Sequence, residues 1–285
     1  SENSKMYQYL SKWWNKIGQK AYKIAVPLYT YKGMVSIPPL GMVDDELTIS
    51  ECGLKSTLTN VVMNSFTESK KLKFGIKKCH KLHIGEKRLV CDEIRVHNEV
   101  GQTVTQDKYI GDIIAADGSN EANITERINK GYGIDNEYVS IIEEIPFGPY
   151  KIPVGLKLRE AMLLNGILFN SEIWYNIRDE QIKKLSAVDE YLLRKILGAP
   201  SKTPIEALYL ETGCIPIEHR IKMRRLMYLH HILRRPESEL IRKFYIAQKI
   251  NPSKGDWTKT VDDDKKNIGL DMDDNKYLNL SLIHI

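Results

Sequence analysis

One stretch in the second half of the chain, Leu156 to Tyr175, constrains the fold more than any other. At 3.6 residues per turn its apolar residues cover nearly the whole circumference of a helix instead of a single stripe. They are Leu156, Met162, Leu163, Leu164, Ile167, Leu168, Phe169 and Trp174. A helix that is apolar on every side must be covered by other elements, so the sequence predicts a buried helix at the centre of a helical bundle.

Helical patterns flank this segment on both sides. Residues 120–145 predict a helix whose middle is weakened by two glycines, Gly131 and Gly133, and which prolines end. A second helix is expected to begin with Asp179 as its cap and to end at Gly198.

Two further signals complete the predicted bundle. Thr203-Pro204-Ile205-Glu206 has the pattern of a capping box with proline at the first helical position. Residues 217–235 predict a helix with leucines on one face and a basic, aromatic face opposite, formed by Arg224, Tyr228, His231 and Arg235. Residues 251–285 are polar and then acidic, which favours a disordered tail.

The first half of the chain has a different pattern. Leu40 to Ile49 predicts two short strands joined by a turn, Leu54 to Phe74 a helix, and Lys78 to Ile84 a strand. Lys108 to Ile114 predicts a strand interrupted at Gly111. The expected fold class is therefore α+β, with an antiparallel sheet and packed helices followed by an all-helical bundle.

Composition limits the setting of the protein. The net charge of +5 permits binding to polyanions without requiring it. Four cysteines at irregular spacing do not form a disulfide framework, and no signal peptide or apolar run of about 20 residues is visible. We therefore expect an intracellular protein, in the nucleus or cytoplasm, that is not secreted and not in a membrane.

Paired carboxylates stand at the predicted turn between the first two of these strands. Asp44 and Asp45 at a rigid hairpin tip would supply the hard oxygen ligands that hold two divalent ions for nucleotidyl transfer. Asp44 is expected to be the direct ligand, because consecutive strand residues point to opposite faces. An Asp pair at a turn also commonly satisfies backbone N–H groups, so a purely structural role stays open.

Several segments in order resemble one family. Tyr31-Lys32-Gly33, the run Ile37 to Asp45 and Ser50-Glu51-Cys52-Gly53 resemble the surroundings of motif C of non-LTR (LINE-type) retrotransposon reverse transcriptases. The run Lys77 to Gly85 is similar to motif D, and Tyr109 to Ile114 is similar to the primer-grip hairpin. Asn170 to Tyr175 and Leu193 to Gly198 resemble the thumb, so the similarity covers about residues 31–256.

The resemblance implies an organisation into domains and a chemistry. Residues 31–118 would be part of the polymerase palm and residues 119–250 a helical thumb or connection, after an uncharacterised segment 1–30. The intact enzyme would bind an RNA template and a DNA primer and would use Mg²⁺ or Mn²⁺ held by Asp44 and Asp45. Nothing in the sequence indicates the oligomeric state.

The resemblance also implies roles for individual residues. Lys78, or alternatively Lys81, would protonate the leaving pyrophosphate, and Tyr109 and Gly111 would belong to the primer grip. In the thumb, six cations are candidates for contacts with template and primer phosphates. They are Lys157, Arg159, Arg194, Lys195, Arg224 and Arg225.

The chain departs from the family before Asp44. A complete palm has a further aspartate on an earlier strand, yet Glu2 is the only acidic residue ahead of Asp44. Half of a two-metal site positions its ions poorly, so we expect no polymerase activity from this chain alone.

Two other readings of the sequence stay open. One is a zinc module built on Cys79, His83, Cys91 and His97, although their spacing lacks the tight pairs usual in zinc sites. The other is a non-catalytic helical remnant of such an element that binds nucleic acid or protein.

Overall fold

A computed structural model describes residues 27–30, 33–36, 40–42, 45–49, 53–84, 95–96, 99–146, 148–250, 252, 256–270 and 272–279. Over these residues the protein is α+β and mostly helical, and this class was predicted. The chain divides into two compact units, Ser1–Ser119 and Asn120–Ile285. Each unit is described below by itself.

The strands of the first unit are two to four residues long and pair two by two. They are β1 Pro27–Thr30, β2 Gly33–Ser36, β3 Leu40–Met42, β4 Asp45–Leu47, β5 His80–Leu82, β6 Arg95–Val96, β7 Glu99–Val100, β8 Gln102–Val104, β9 Gln106–Tyr109 and β10 Asp112–Ala115. β1–β2, β3–β4, β6–β7 and β9–β10 are antiparallel, whereas β5–β8 is parallel. The described strands thus form separate pairs and not the single antiparallel sheet that was expected. Closing a short loop costs little entropy, which favours pairing with the neighbour in sequence.

One long helix, α1 Gly53–Ser69, lies between the β3–β4 and β5 segments of the first unit. It ends earlier than the predicted Phe74 because Lys71 adopts a left-handed φ of +56°. The Leu72 amide then donates to the Thr67 carbonyl at 2.8 Å and the Lys71 amide to the Glu68 carbonyl at 3.1 Å. These two bonds are those of a Schellman C-cap.

The second unit is built from helices. They are α2 Glu121–Glu144, α3 Lys151–Leu158, α4 Asn165–Ile167, α5 Asp179–Leu197, α6 Ile205–Thr212, α7 Ile217–Leu233, α8 Leu240–Ile250, α9 Trp257–Asn267 and α10 Asp274–Leu278. A π-helical turn, Arg159–Leu164, joins α3 to α4, and a 3₁₀ turn, Ser171–Ile173, follows.

The central helix is buried as predicted but is not one continuous α-helix. Its residues Leu163, Leu164, Ile167, Leu168 and Trp174 are at most 1% exposed. The helix ends at Ile167 instead of Tyr175, and Asn170 takes a left-handed φ of +55° before the 3₁₀ turn. Phe169, expected in the core, is 39% exposed because it lies in this break.

Two predicted helix caps differ from the structure. Arg178, not Asp179, is the N-cap of α5, and its backbone N–H donates to the Gln181 side chain at 3.1 Å. Pro204 is the N-cap of α6, so Thr203 forms no capping box there. Gly198 does end α5 in a left-handed conformation, as predicted.

The predicted disorder of residues 251–285 is wrong for the part that the structure describes. α9 and α10 pack on α7 and α8 around a second apolar core. It consists of Leu226, Leu229, Ile232, Leu233, Tyr245, Val261 and Tyr277. The leucine face of α7 is therefore covered by an acidic segment that buries Val261 and Tyr277 against it.

Candidate nucleic-acid interface

Asp45 stands at the turn end of a β-hairpin, as the sequence predicts. β3 and β4 pair antiparallel, with Met42 opposite Asp45. Asp45 is the first residue of β4. Asp44 lies outside the described residues, and the metal-binding role of the pair stays a prediction.

Lys78, the expected proton donor, lies on the surface of the first unit. It closes a 3₁₀ turn, Ile76–Lys78, just before β5, and its side chain is exposed. Lys81, the alternative donor, is only 8% exposed. Between them His80 Nδ1 lies 3.0 Å from Asp107 Oδ1, which ties β5 to β9. Lys78 is the more accessible of the two lysines.

Tyr109 and Gly111 belong to a tight hairpin turn. Tyr109 pairs with Asp112, and the two residues between them, Ile110 and Gly111, have φ values of +47° and +83°. Positive φ at both central positions is the mark of a type I′ turn, whose twist matches that of the strands. In a β-branched residue this conformation costs about 1–3 kcal/mol, so Ile110 is a strained residue at the hairpin tip.

Two of the six cations expected to contact phosphates are buried. Arg159 is 0% exposed and pairs with Asp189, and Arg225 is 5% exposed and pairs with Asp264. A phosphate on the surface cannot reach either guanidinium, so the predicted contact is wrong for these two residues. A buried charge needs a partner, and both arginines have an aspartate instead of a ligand.

Two other arginines are half-buried and hold the backbone. Arg194 Nη2 donates to the carbonyl of Thr203 at 3.1 Å. Arg224 Nη1 donates to the carbonyl of Leu168 at 2.6 Å, beside the break in the central helix. Each of these guanidinium groups uses one of its N–H donors in a bond to a backbone carbonyl, so fewer donors remain for a phosphate.

The two predicted lysines are open to solvent. Lys195 Nζ lies 3.2 Å from Glu143 Oε1 and 5.7 Å from the ring centre of Tyr191. The hydrogen bond to Glu143, with further contributions from Tyr191, raises the pKa of Lys195. Lys157 on α3 is exposed, and its side chain forms no hydrogen bond or ion pair with another described residue. Of the six predicted contacts, Lys157 and Lys195 remain available to a phosphate.

A lysine-rich segment follows α1, and the sequence analysis assigned no role to it as a whole. Six lysines and no acidic residue lie between Ser69 and Glu86. Five of them are exposed: Lys70, Lys71, Lys73, Lys77 and Lys78. We call residues 70–78 the lysine segment. In the sequence this segment is marked by a run of positive charge, which the periodic patterns of helices and strands do not reveal.

Metal ligands are sparse in the described part of the chain. No group of three or more histidine, cysteine, aspartate or glutamate side chains there has the arrangement of a metal site. Of the four residues in the zinc alternative, Cys91 and His97 lie outside the described residues. Burial raises the pKa of the Cys79 thiol, which favours the protonated form over the thiolate that zinc requires.

Comparison with known proteins gives no assignment: no family model, no curated protein and no solved structure matches the chain. No helix among the described residues is both long and apolar enough to span a bilayer.

Proposed function

We propose that the chain is the C-terminal palm and thumb portion of a reverse transcriptase of the non-LTR type. The intact enzyme copies an RNA template from a DNA primer by two-metal nucleotidyl transfer. The observation that supports the proposal is the order of the motif-like segments along the chain. The Asp44-Asp45 segment comes first, then the segment with Lys78, then the Tyr109–Ile114 segment, then the helices.

The local geometry is compatible with the roles in this proposal. Asp45 begins the second strand of a hairpin, Lys78 is exposed, and Tyr109 precedes a tight turn. Adjacent carboxylates are the oxygen donors that Mg²⁺ and Mn²⁺ prefer, so the donor chemistry at Asp44 and Asp45 fits. When bound, the ions activate the primer 3′-hydroxyl and neutralise the leaving group. Lys78 donates a proton to the pyrophosphate.

The donor set in this chain is incomplete. A palm of this type needs a third carboxylate from an earlier strand, and Glu2 is the only acidic residue before Asp44. We therefore expect templated synthesis from a longer protein that supplies this strand, and none from these 285 residues.

Primer extension on an RNA template with Mg²⁺ or Mn²⁺ tests the proposal. The assay compares the chain with the protein read from the continuous genomic frame upstream of Ser1. The longer protein is expected to extend the primer, and Asp44→Asn in that protein is expected to abolish extension. Synthesis by the chain alone, or an active longer protein that tolerates Asp44→Asn, contradicts the proposal.

Nucleic-acid contact is tested separately from synthesis, on the lysine segment. Binding of an RNA–DNA duplex is measured at several salt concentrations for Lys73→Glu/Lys77→Glu. The matched control is Lys183→Glu/Lys202→Glu, which changes the net charge equally at two exposed lysines of the second unit. Losing two phosphate contacts should lower the salt slope by about 2 and weaken binding more than tenfold. Equal losses of duplex affinity in both variants would mean that binding depends on the net charge of the chain and not on the lysine segment.

A second candidate function is a non-catalytic, nucleic-acid-binding helical remnant of such an element. The observation in its favour is that the second unit has its own cores, independent of Asp44 and Asp45. It differs from the first candidate in one measurable respect. The upstream frame would lack the aspartate strand, and no longer protein from it would extend a primer, while the duplex would still bind.

A further inference from the structure

A cavity of about 430 Å³ opens at the C-terminal end of α7. Its lining consists of Met227, His230, His231, Arg234, Arg235 and Pro236, with no carboxylate among them. Pockets for small ligands commonly measure about 300–1,000 Å³, so this one is large enough for a single nucleotide.

The two arginines give the cavity its charge. Arg234 is exposed, and its side chain has no hydrogen bond or ion pair with another described residue. Arg235 Nη1 lies 3.7 Å from Glu239 Oε1, and both side chains of that pair are more than 40% exposed. An exposed pair at this spacing is weak and is readily exchanged for a phosphate. Arg235 Nε and Nη2 also lie 3.3 Å and 3.2 Å from His231 Nε2, which holds the guanidinium beside that ring. The C-terminal end of the α7 dipole carries about half a negative charge, which repels an anion. The two positive guanidinium groups outweigh this repulsion.

The ring of His231 gives the wall beside the arginines a flat aromatic surface. The exposed ring of His231 stacks on Tyr228, with ring centres 6.2 Å apart and planes within 7°. Trp257 packs edge-on against Tyr228, with ring centres 5.8 Å apart. Met227, which is 51% exposed, adds a polarisable apolar surface on the same helix.

His230 supplies a polar group inside the cavity. It is only 8% exposed, and its ring lies edge-on to Tyr277 at 6.4 Å. No hydrogen bond of this ring occurs with any residue in the described part of the chain. A buried imidazole without a partner in a cavity is a group that a ligand hydroxyl or phosphate can satisfy.

We propose that this cavity binds one phosphorylated nucleotide, with the phosphate between Arg234 and Arg235 and the base against His231 and Met227. Guanidinium forks match phosphate oxygens, and aromatic faces stack on any base. The proposal goes beyond polymerase function and does not rest on it, since it uses only the cavity and its lining.

Calorimetry on the full chain tests the proposal with three probes: a nucleoside monophosphate, the matching nucleoside and inorganic phosphate. The monophosphate is expected to bind about tenfold more tightly than either part, because one charge-assisted contact and one stacking contact each contribute about that factor. Failure of the monophosphate to bind, or equal binding of inorganic phosphate, overturns the proposal.

Two variants locate the site. Arg234→Glu is expected to weaken monophosphate binding at least tenfold, whereas Lys183→Glu, with the same change of net charge on another helix, leaves it within about twofold. His231→Ala is expected to weaken binding of the monophosphate and not to weaken binding of inorganic phosphate, because it removes the stacking ring and frees the Arg235 guanidinium. Equal losses in Arg234→Glu and Lys183→Glu, or no loss in His231→Ala, overturn the assignment.

A single-stranded RNA oligonucleotide then distinguishes the source of the nucleotide. Displacement of the bound monophosphate by the oligonucleotide supports the cavity as a contact for a nucleic-acid strand. Retention of the monophosphate supports a site for a free nucleotide. Loss of oligonucleotide binding in Lys183→Glu but not in Arg234→Glu contradicts the strand contact.

Discussion

Arg159 and Asp189 form a bidentate ion pair that is sealed inside the helical unit. Nε and Oδ1 are 2.5 Å apart, Nη2 and Oδ2 are 2.7 Å apart, and both side chains are 0% exposed. Burial by itself lowers the pKa of Arg159, but the hydrogen bonds and charge of Asp189 outweigh it, and the net pKa is raised. The pair stays charged and links the π turn of the central helix to α5.

Asp189→Ala is expected to destabilise the second unit by about 3–5 kcal/mol, because it leaves the charge of Arg159 buried without a partner. Urea unfolding followed by tryptophan fluorescence measures the change. Arg178→Ala is the control, since Arg178 pairs with Glu121 while both side chains are 58% exposed. Breaking that surface pair should cost about 0–1 kcal/mol. Similar losses of unfolding free energy in both variants would show that the buried pair contributes no more to stability than the exposed pair.

Asp264→Ala is expected to release α9 and α10 from α7. Asp264 Oδ2 accepts from Arg225 Nε at 2.6 Å, and Oδ1 accepts from Nη2 at 3.0 Å, with both residues buried. Removing the carboxylate leaves Arg225 unpaired in the second core and should cost about 3 kcal/mol or more. Limited proteolysis should then cleave between residues 250 and 280 much faster than in the unmodified chain.

Asp263→Ala is the matched control for this experiment. Asp263 is the neighbouring residue on the same helix, has the same charge and is exposed. The variant should keep the protease resistance of the unmodified chain. If Asp263→Ala exposed the same sites as Asp264→Ala, the loss of negative charge, and not the pair with Arg225, would explain the release.

The helices of the second unit were predictable because their signals are local. The all-round apolar pattern of residues 156–175 correctly indicates burial of Leu163 and Trp174. The break after Ile167 and the π turn at Arg159 depend on what packs against them, which no single-helix pattern contains. The same limit explains the tail: its acidic composition favours disorder, but Val261 and Tyr277 are buried in the second core, against residues far away in the sequence.

The same limit applies to the candidate site: the hairpin was predictable from the sequence, and the burial of the basic residues was not. The hairpin around Asp45 follows from two short apolar runs and a turn, all within ten residues of sequence. Whether a basic residue faces solvent depends on partners far along the chain. Asp189 is 30 residues from Arg159 and Asp264 is 39 residues from Arg225. Periodicity alone therefore could not separate these arginines from the accessible Lys157.

Gly131 and Gly133 should respond in opposite ways to alanine. A Cβ on Gly131 would lie 3.0 Å from Val188 and 3.1 Å from Ile167, both fully buried, whereas a Cβ on Gly133 meets nothing within 4 Å. Gly131→Ala should destabilise by about 1–3 kcal/mol through overpacking. Gly133→Ala should stabilise by about 0.5–1 kcal/mol, the difference in helix propensity. Thermal unfolding of both variants measures these changes in stability. An increase in stability in both variants would mean that α2 does not pack closely on α5.

Tyr277 should make the second core sensitive to alkali. Its hydroxyl donates to the Leu226 carbonyl at 2.9 Å, and burial raises its pKa to about 12. The unfolded pKa is about 10, so this contribution to stability is complete below about pH 10 and is lost as the pH rises through about 12.

Tyr277→Phe should therefore cost about 1 kcal/mol at neutral pH, through the lost hydrogen bond, and should flatten the fall in stability above pH 10. Urea unfolding at a series of pH values from 7 to 12 measures both effects. Tyr150→Phe is the control, because Tyr150 is 78% exposed and its replacement removes no buried hydroxyl. An alkaline fall of the same steepness in Tyr277→Phe as in the unmodified chain would mean that ionisation of other groups, and not of Tyr277, opens the second core.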